Sequence, residues 1–158
     1  MASTLEVLTA AQTAFLMNKP GAFLYQNASQ SVGSGAYTAL TYNVAVGDVW
    51  GGWSSGNSSR YTVQVAGTYE ISWFTAWSSN STGSRQHYAQ QNGTQINGTK
   101  QELPAMTTTM GVASPVFQVP ANVGDYFQVQ IYQDTNNPLS TYATAPFYSS
   151  MTVKWLHL

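Results

Sequence analysis

Few residues in this chain are equipped for chemistry. There are two histidines, His87 and His157, six carboxylates and no cysteine. A Ser-His-Asp arrangement is defined by geometry and not by chain order, so abundant serine settles nothing by itself. His87, in RQHYAQ, reads as an ordinary strand residue and His157 as a near-terminal one. No Gly-x-Ser-x-Gly nucleophile elbow is expected, and serine is abundant by composition. Glycoside hydrolysis needs two carboxyls flanking one bond. Glu6, Asp48, Glu70, Glu102, Asp125 and Asp134 are scattered, and Asp48 and Asp125 each follow a glycine, as turn residues do. Asp134-x-Asn136-Asn137 lacks the glycine and closing glutamate of a calcium loop. GGWSSGNSS has no lysine and no following helix, so it is not a phosphate loop. The expectation is a protein that is not an enzyme and holds no cofactor or metal. Trp50 and Trp77 are candidate contacts for a glycan, because indole faces stack on the apolar faces of sugar rings.

Composition narrows the partners. The chain has 158 residues, five Lys/Arg and a net charge of −1. It is large enough for one domain with a substantial core. So few cations cannot neutralise a run of phosphates, which argues against nucleic-acid binding. No apolar run is long enough to span a membrane, and MASTLEVLTAAQTAFLMNKPG lacks the basic start and continuous apolar stretch of a secretory signal. Five Asn-X-Ser/Thr triplets, starting at Asn27, Asn57, Asn80, Asn92 and Asn97, are what this Asn/Ser/Thr-rich composition produces by chance. Only 7% of residues are charged, so Ser, Thr, Asn and Gln must keep the surface wetted. Surfaces of that kind suit proteins built into assemblies.

The elements that must position these residues are strands. Residues 1–20 form an N-terminal arm, ending at Pro20-Gly21. Leu5, Leu8, Gln12 and Phe15 or Leu16 fit a short amphipathic helix capped by Thr4, and also an extended arm. After that, apolar alternation marks strands at 22–26, 36–43, 60–65, 67–77, 85–91, 124–134 and 149–158, with an interrupted strand in 100–120. Asn92-Gly93 marks a hairpin. In GTYEISWFTAW, Tyr69, Ile71, Trp73 and Trp77 share one face, yet Phe74 sits on the other. In 125–133, Phe127, Val129 and Ile131 form a core row opposite Tyr126, Gln128, Gln130 and Tyr132. Aromatic residues on both faces imply a partner for the second face, either another subunit or a covering loop. Eight to ten short strands without a helix after residue 20 predict an all-β, two-sheet antiparallel jelly roll.

The run Tyr42-x5-Asp48-x4-Trp53-x7-Tyr61-x5-Gly67-x-Tyr69-x-Ile71-x-Trp73 resembles the signature of the C1q/TNF-like jelly roll. It departs from that signature by one extra residue between Trp53 and Tyr61, by two Tyr-for-Phe exchanges and by Ile71. Asn92-Gly93, the Gly124-Asp125-Tyr126-Phe127 strand start and the closing SSMTVKWLHL are similar to later family features. The resemblance covers 21–158. It implies a ten-strand jelly roll forming a homotrimer, with the sheet of first, third, late and last strands against the threefold axis. The interface it implies contains Phe74, Tyr126, Gln128, Gln130, Tyr132 and Leu156.

With its short arm and charge-poor surface, the chain most resembles the jelly-roll decoration and fibre-knob proteins of bacteriophage virions. The expected function is a trimeric decoration protein on the capsid exterior. Leu5, Leu8, Phe15 and Leu16 of the arm would grip the major capsid protein. The alternative is a receptor- or glycan-binding knob of a phage fibre or bacterial surface trimer, binding a host-surface glycan through Trp50 and Trp77.

Overall fold

The computed structural model describes residues 9–158. Leu5, Leu8 and the expected Thr4 cap lie outside the described residues, as does the side chain of Leu16. Helix α1 spans Ala10–Met17. It starts on a reciprocal cap: the Gln12 N–H donates to Thr9 Oγ1 (3.2 Å) and the Thr9 N–H to Gln12 Oε1 (2.8 Å).

Ten strands of three or more residues follow among the described residues: β1 (Gly21–Tyr25), β2 (Val44–Val46), β3 (Arg60–Thr62), β4 (Gly67–Trp77), β5 (Asn80–Gln91), β6 (Gln101–Met106), β7 (Met110–Ala113), β8 (Phe117–Ala121), β9 (Tyr126–Gln133) and β10 (Ser150–His157). All their pairings are antiparallel. The first sheet runs β7–β4–β10–β1–β2, with β8 continuing the β7 edge along β4. The second is built on β9, which pairs with β5, with β3 and with the short Thr38–Ala39 segment; β6 pairs with β5.

The alternation of β4 becomes a core face. Tyr69, Ile71, Trp73, Thr75 and Trp77 are buried and point at the second sheet, where Phe127, Val129 and Ile131 are fully buried. Tyr69 sits 5.8 Å from the Phe127 ring and donates its hydroxyl to Val65 O at 2.6 Å, so the phenol enters the core with its polar end satisfied. Trp73 stacks on Phe117 at 5.6 Å.

The 100–120 stretch is interrupted more deeply than its pattern suggests. Its first part, β6, joins the second sheet, whereas β7 and β8 join the first. Between β7 and β8, Ser114 holds the ladder together. Its Oγ accepts the Trp73 N–H at 2.7 Å and its N–H donates to Trp73 O at 2.8 Å. Pro115, with no N–H to give, and Val116 then interrupt the ladder, which resumes at Phe117 opposite Ile71. At the β5 hairpin, Asn92 (φ 53°) and Gly93 (φ 81°) both take the positive φ of a type I′ turn. Asn92 is pinned there: its Nδ2 donates to Asp125 Oδ1 (2.7 Å) and its Oδ1 accepts the Tyr126 N–H (2.9 Å). The Asn122 N–H above all, then the amides of Asn92 and Gln91, hold the Asp125 carboxyl below its ordinary range.

Candidate functional site

The one arrangement that imitates a catalytic set is buried. Thr75 Oγ1 lies 3.0 Å from His87 Nδ1, and His87 Nε2 lies 2.7 Å from Gln101 Oε1. Facing a carbonyl oxygen, Nε2 carries the proton and donates, leaving Nδ1 to accept from the threonine hydroxyl. Nucleophile, base and orienting group are therefore in sequence, but Thr75 and His87 are each 1% exposed and lie between the sheets. No substrate reaches them, and the triplet links the two sheets instead. Contrary to the expectation of no such motif, residues 52–56, GWSSG, spell Gly-x-Ser-x-Gly. They run through a loop into a single 3₁₀ turn at Ser55–Asn57, without the strand-to-helix bend of an elbow.

Desolvation holds His87 below its ordinary value of 6.5. The unfolded chain then takes up a proton that the native state refuses. Stability is complete above about pH 6.5 and falls as pH drops from there towards the native value, by at most about 1.4 kcal/mol per pH unit. We expect urea midpoints to fall between pH 7 and pH 5, and His87→Gln to flatten that fall. Equal slopes in both proteins would contradict this origin.

The sandwich also has two outer faces. On the first sheet, strand register sets Val44, Tyr25, Ser150, Phe74 and Ala113 in one row and Val46, Phe23, Thr152 and Ser72 in the next. Neither row contains a charge. Phe23 and Val46 are 44% and 53% exposed. Phe23 stacks on Tyr25 at 5.6 Å, and Tyr25 meets Tyr148 at 5.4 Å. Phe74 lies over Gly111 of β7, where a Cβ would come within 2.4 Å of its ring. The aromatic group thus covers the bare backbone beside it, an arrangement that rescues a strand glycine. Part of what Phe74 packs against is therefore its own sheet. Leu156 is half-buried beside the register shift that ends β10.

Tyr126, Gln128, Gln130 and Tyr132 lie on the outer face of the second sheet, across the core from Phe74. The six residues expected to share one interface are thus divided between opposite sides of the sandwich, and one flat contact cannot contain both groups. Period-2 alternation shows that a strand has two faces but not which sheet the strand joins. Phe23, Tyr25, Val44 and Val46 escaped the sequence reading. For Phe23 and Tyr25 the signal lies in GAFLY, whose two faces are both apolar; Val44 and Val46 lie outside it, in VAV.

The tryptophan candidates change roles. Trp77 is 1% exposed, with the Arg85 guanidinium 5.8 Å from its ring centre, so it is a core residue and not a glycan contact. Trp50 is 37% exposed, but its indole N–H donates to Asn18 O and its ring meets Phe15 at 5.7 Å. Phe15 also stands edge-on to Trp155 at 5.1 Å. α1 is therefore docked on the jelly roll, and Phe15 is committed to its own chain instead of being free to grip another.

No family model matches the sequence, and no curated protein matches it. Among solved structures, the chain is similar to the globular domain of zebrafish complement 1qA protein, with 13% identity and a TM-score of 0.60 over 88% of this chain and 98% of that one. It is also similar to murine APRIL in crystals at pH 8.0, with 13% identity and a TM-score of 0.56 over 85% and 97% of the two chains. The chain has a C1q/TNF-like jelly-roll fold.

Proposed function

We propose that this protein is a non-catalytic structural module that assembles as a homotrimer through the outer face of its first sheet. The observation carrying this reading is the uncharged patch around Phe23, Tyr25, Val46 and Phe74, on the sheet that contains the first and last long strands. The implied C1q/TNF-like arrangement turns that sheet toward the threefold axis. Depletion of charge with aromatic enrichment is the composition of an interface core. Light scattering behind a sizing column tests the reading: three times the 17.1 kDa chain mass is expected, and a monomer sinks it.

Within that reading, the trimer is a decoration protein on the outside of a bacteriophage capsid, in contact with the major capsid protein. This rests on the charge-poor, Ser/Thr/Asn/Gln-wetted surface and on Leu5 and Leu8 of the arm, ahead of the docked helix. Peptides of this chain should band with intact virions in a density gradient, and their absence from that band would remove the assignment.

A further inference from the structure

We infer that the outer face of the second sheet binds a neutral oligosaccharide chain, through Tyr37, Tyr88 and Tyr132 beside Gln90, Gln128 and Gln130. Tyr37 joins the three rings: it stands edge-on to Tyr88 at 4.9 Å and tilted against Tyr132 at 5.1 Å. Its hydroxyl is hydrogen-bonded to Gln86. Next to the rings runs an amide row. Gln130 Nε2 donates to Gln90 Oε1 (3.1 Å) and to Gln128 Oε1 (3.2 Å), and Gln128 Nε2 donates to Ser59 Oγ (2.7 Å). Register places Tyr88 opposite Gln130 and Gln90 opposite Gln128, on strands that form the middle of the sheet.

The chemistry of this face selects its occupant. Amide and phenol groups donate and accept at once, which matches hydroxyls that also do both. Ring faces carry negative quadrupole density and take the C–H faces of a pyranose. The rings and amides already hold one another in place, so little conformational entropy is lost on binding. From Tyr126 to Tyr132 the row is about 20 Å long, which suits a chain of sugars better than a single one.

Other occupants fit less well. The cations here, Arg60 and Lys100, lie over the rings of Tyr126 (4.6 Å) and Tyr37 (5.9 Å), with Glu102 nearby on β6. Two cations, one of them beside a carboxylate, are too few to neutralise a run of anionic groups. It also lacks the aliphatic anchors that the opposite face displays at Val44 and Val46. In a trimer closed through the first sheet it would point outward, but the inference holds for a monomer as well.

The test is saturation-transfer NMR on the full chain with β-1,4- and α-1,4-linked glucose, mannose and N-acetylglucosamine hexasaccharides, and oligogalacturonate as the charged control. At least one neutral oligosaccharide should receive transfer. Calorimetry should show its affinity weakened about tenfold or more by Tyr37→Ala. Gln130→Ala should weaken it too, and Val116→Ala, at an exposed position outside both sheet faces described, should leave it unchanged. If Tyr37→Ala fails to fold, Gln130→Ala decides. Transfer to none of the neutral chains, transfer to oligogalacturonate alone, or affinity indifferent to these variants overturns the inference. So would a change in oligomer mass with Tyr37→Ala, which would make this face a self-contact.

Discussion

Replacing Phe23 and Val46 together by glutamate should convert the proposed trimer into a monomer of 17.1 kDa that is still folded. Both side chains are already about half in water, at 44% and 53% exposed, so the isolated domain loses little. Surface changes of this kind usually cost within about 0.5 kcal/mol. In the proposed trimer the same substitution would place six carboxylates around one axis. Each buried carboxylate costs several kcal/mol unless it is paired; the two rows contain no cation, and Lys154 in the next row already stands opposite Glu70. A standard interface takes roughly 800 Å² from each partner, about a tenth of this chain's 8279 Å² surface, so two strand rows are a large share of it. Light scattering and circular dichroism check the result together. A double variant that keeps the oligomer mass would move the interface off this face.

The second large effect lies inside. Trp77→Ala should destabilise the domain by about 3–5 kcal/mol, the range for deleting a large buried aromatic side chain. That is a large share of a typical domain's total stability, roughly 5–15 kcal/mol. Trp77 ends the β4 core row, stands opposite Met110 of β7 in the ladder, and has its indole under the Arg85 guanidinium. Arg85 is itself 2% exposed and is held by the carbonyls of Asn80, Thr82 and Ser84, so it cannot turn into the vacated space without losing those bonds. Urea unfolding should show a lower midpoint with an unchanged slope. If the alanine variant does not fold, Trp77→Phe should show a smaller fall in the same direction. An unchanged midpoint would mean that Trp77 is not the core residue described.

Both expectations depend on distinctions that the sequence makes unevenly. The period-2 pattern of 67–77 and 124–134 specified two long strands and their core rows, because side chains alternate strictly along extended backbone. Asn92-Gly93 specified a type I′ hairpin, because those two residues tolerate positive φ at little cost. The shortage of charge foretold a surface of amides and hydroxyls. Each of these is a local property, readable within about ten residues.

Sheet membership is not local. Ladder partners such as Phe74 and Ser150, or Tyr25 and Val44, are separated by long stretches of chain, and only the completed sheets bring them together. Phe74 and Tyr126 therefore looked equivalent in the sequence and lie on opposite sides of the molecule. Trp50 and Trp77 looked alike as loop or strand-end aromatics. Docking of α1 through Phe15 and the burial of Arg85 gave them different roles. Local alternation determined which residues of each strand point inward, but the tertiary structure decided what every outward face meets.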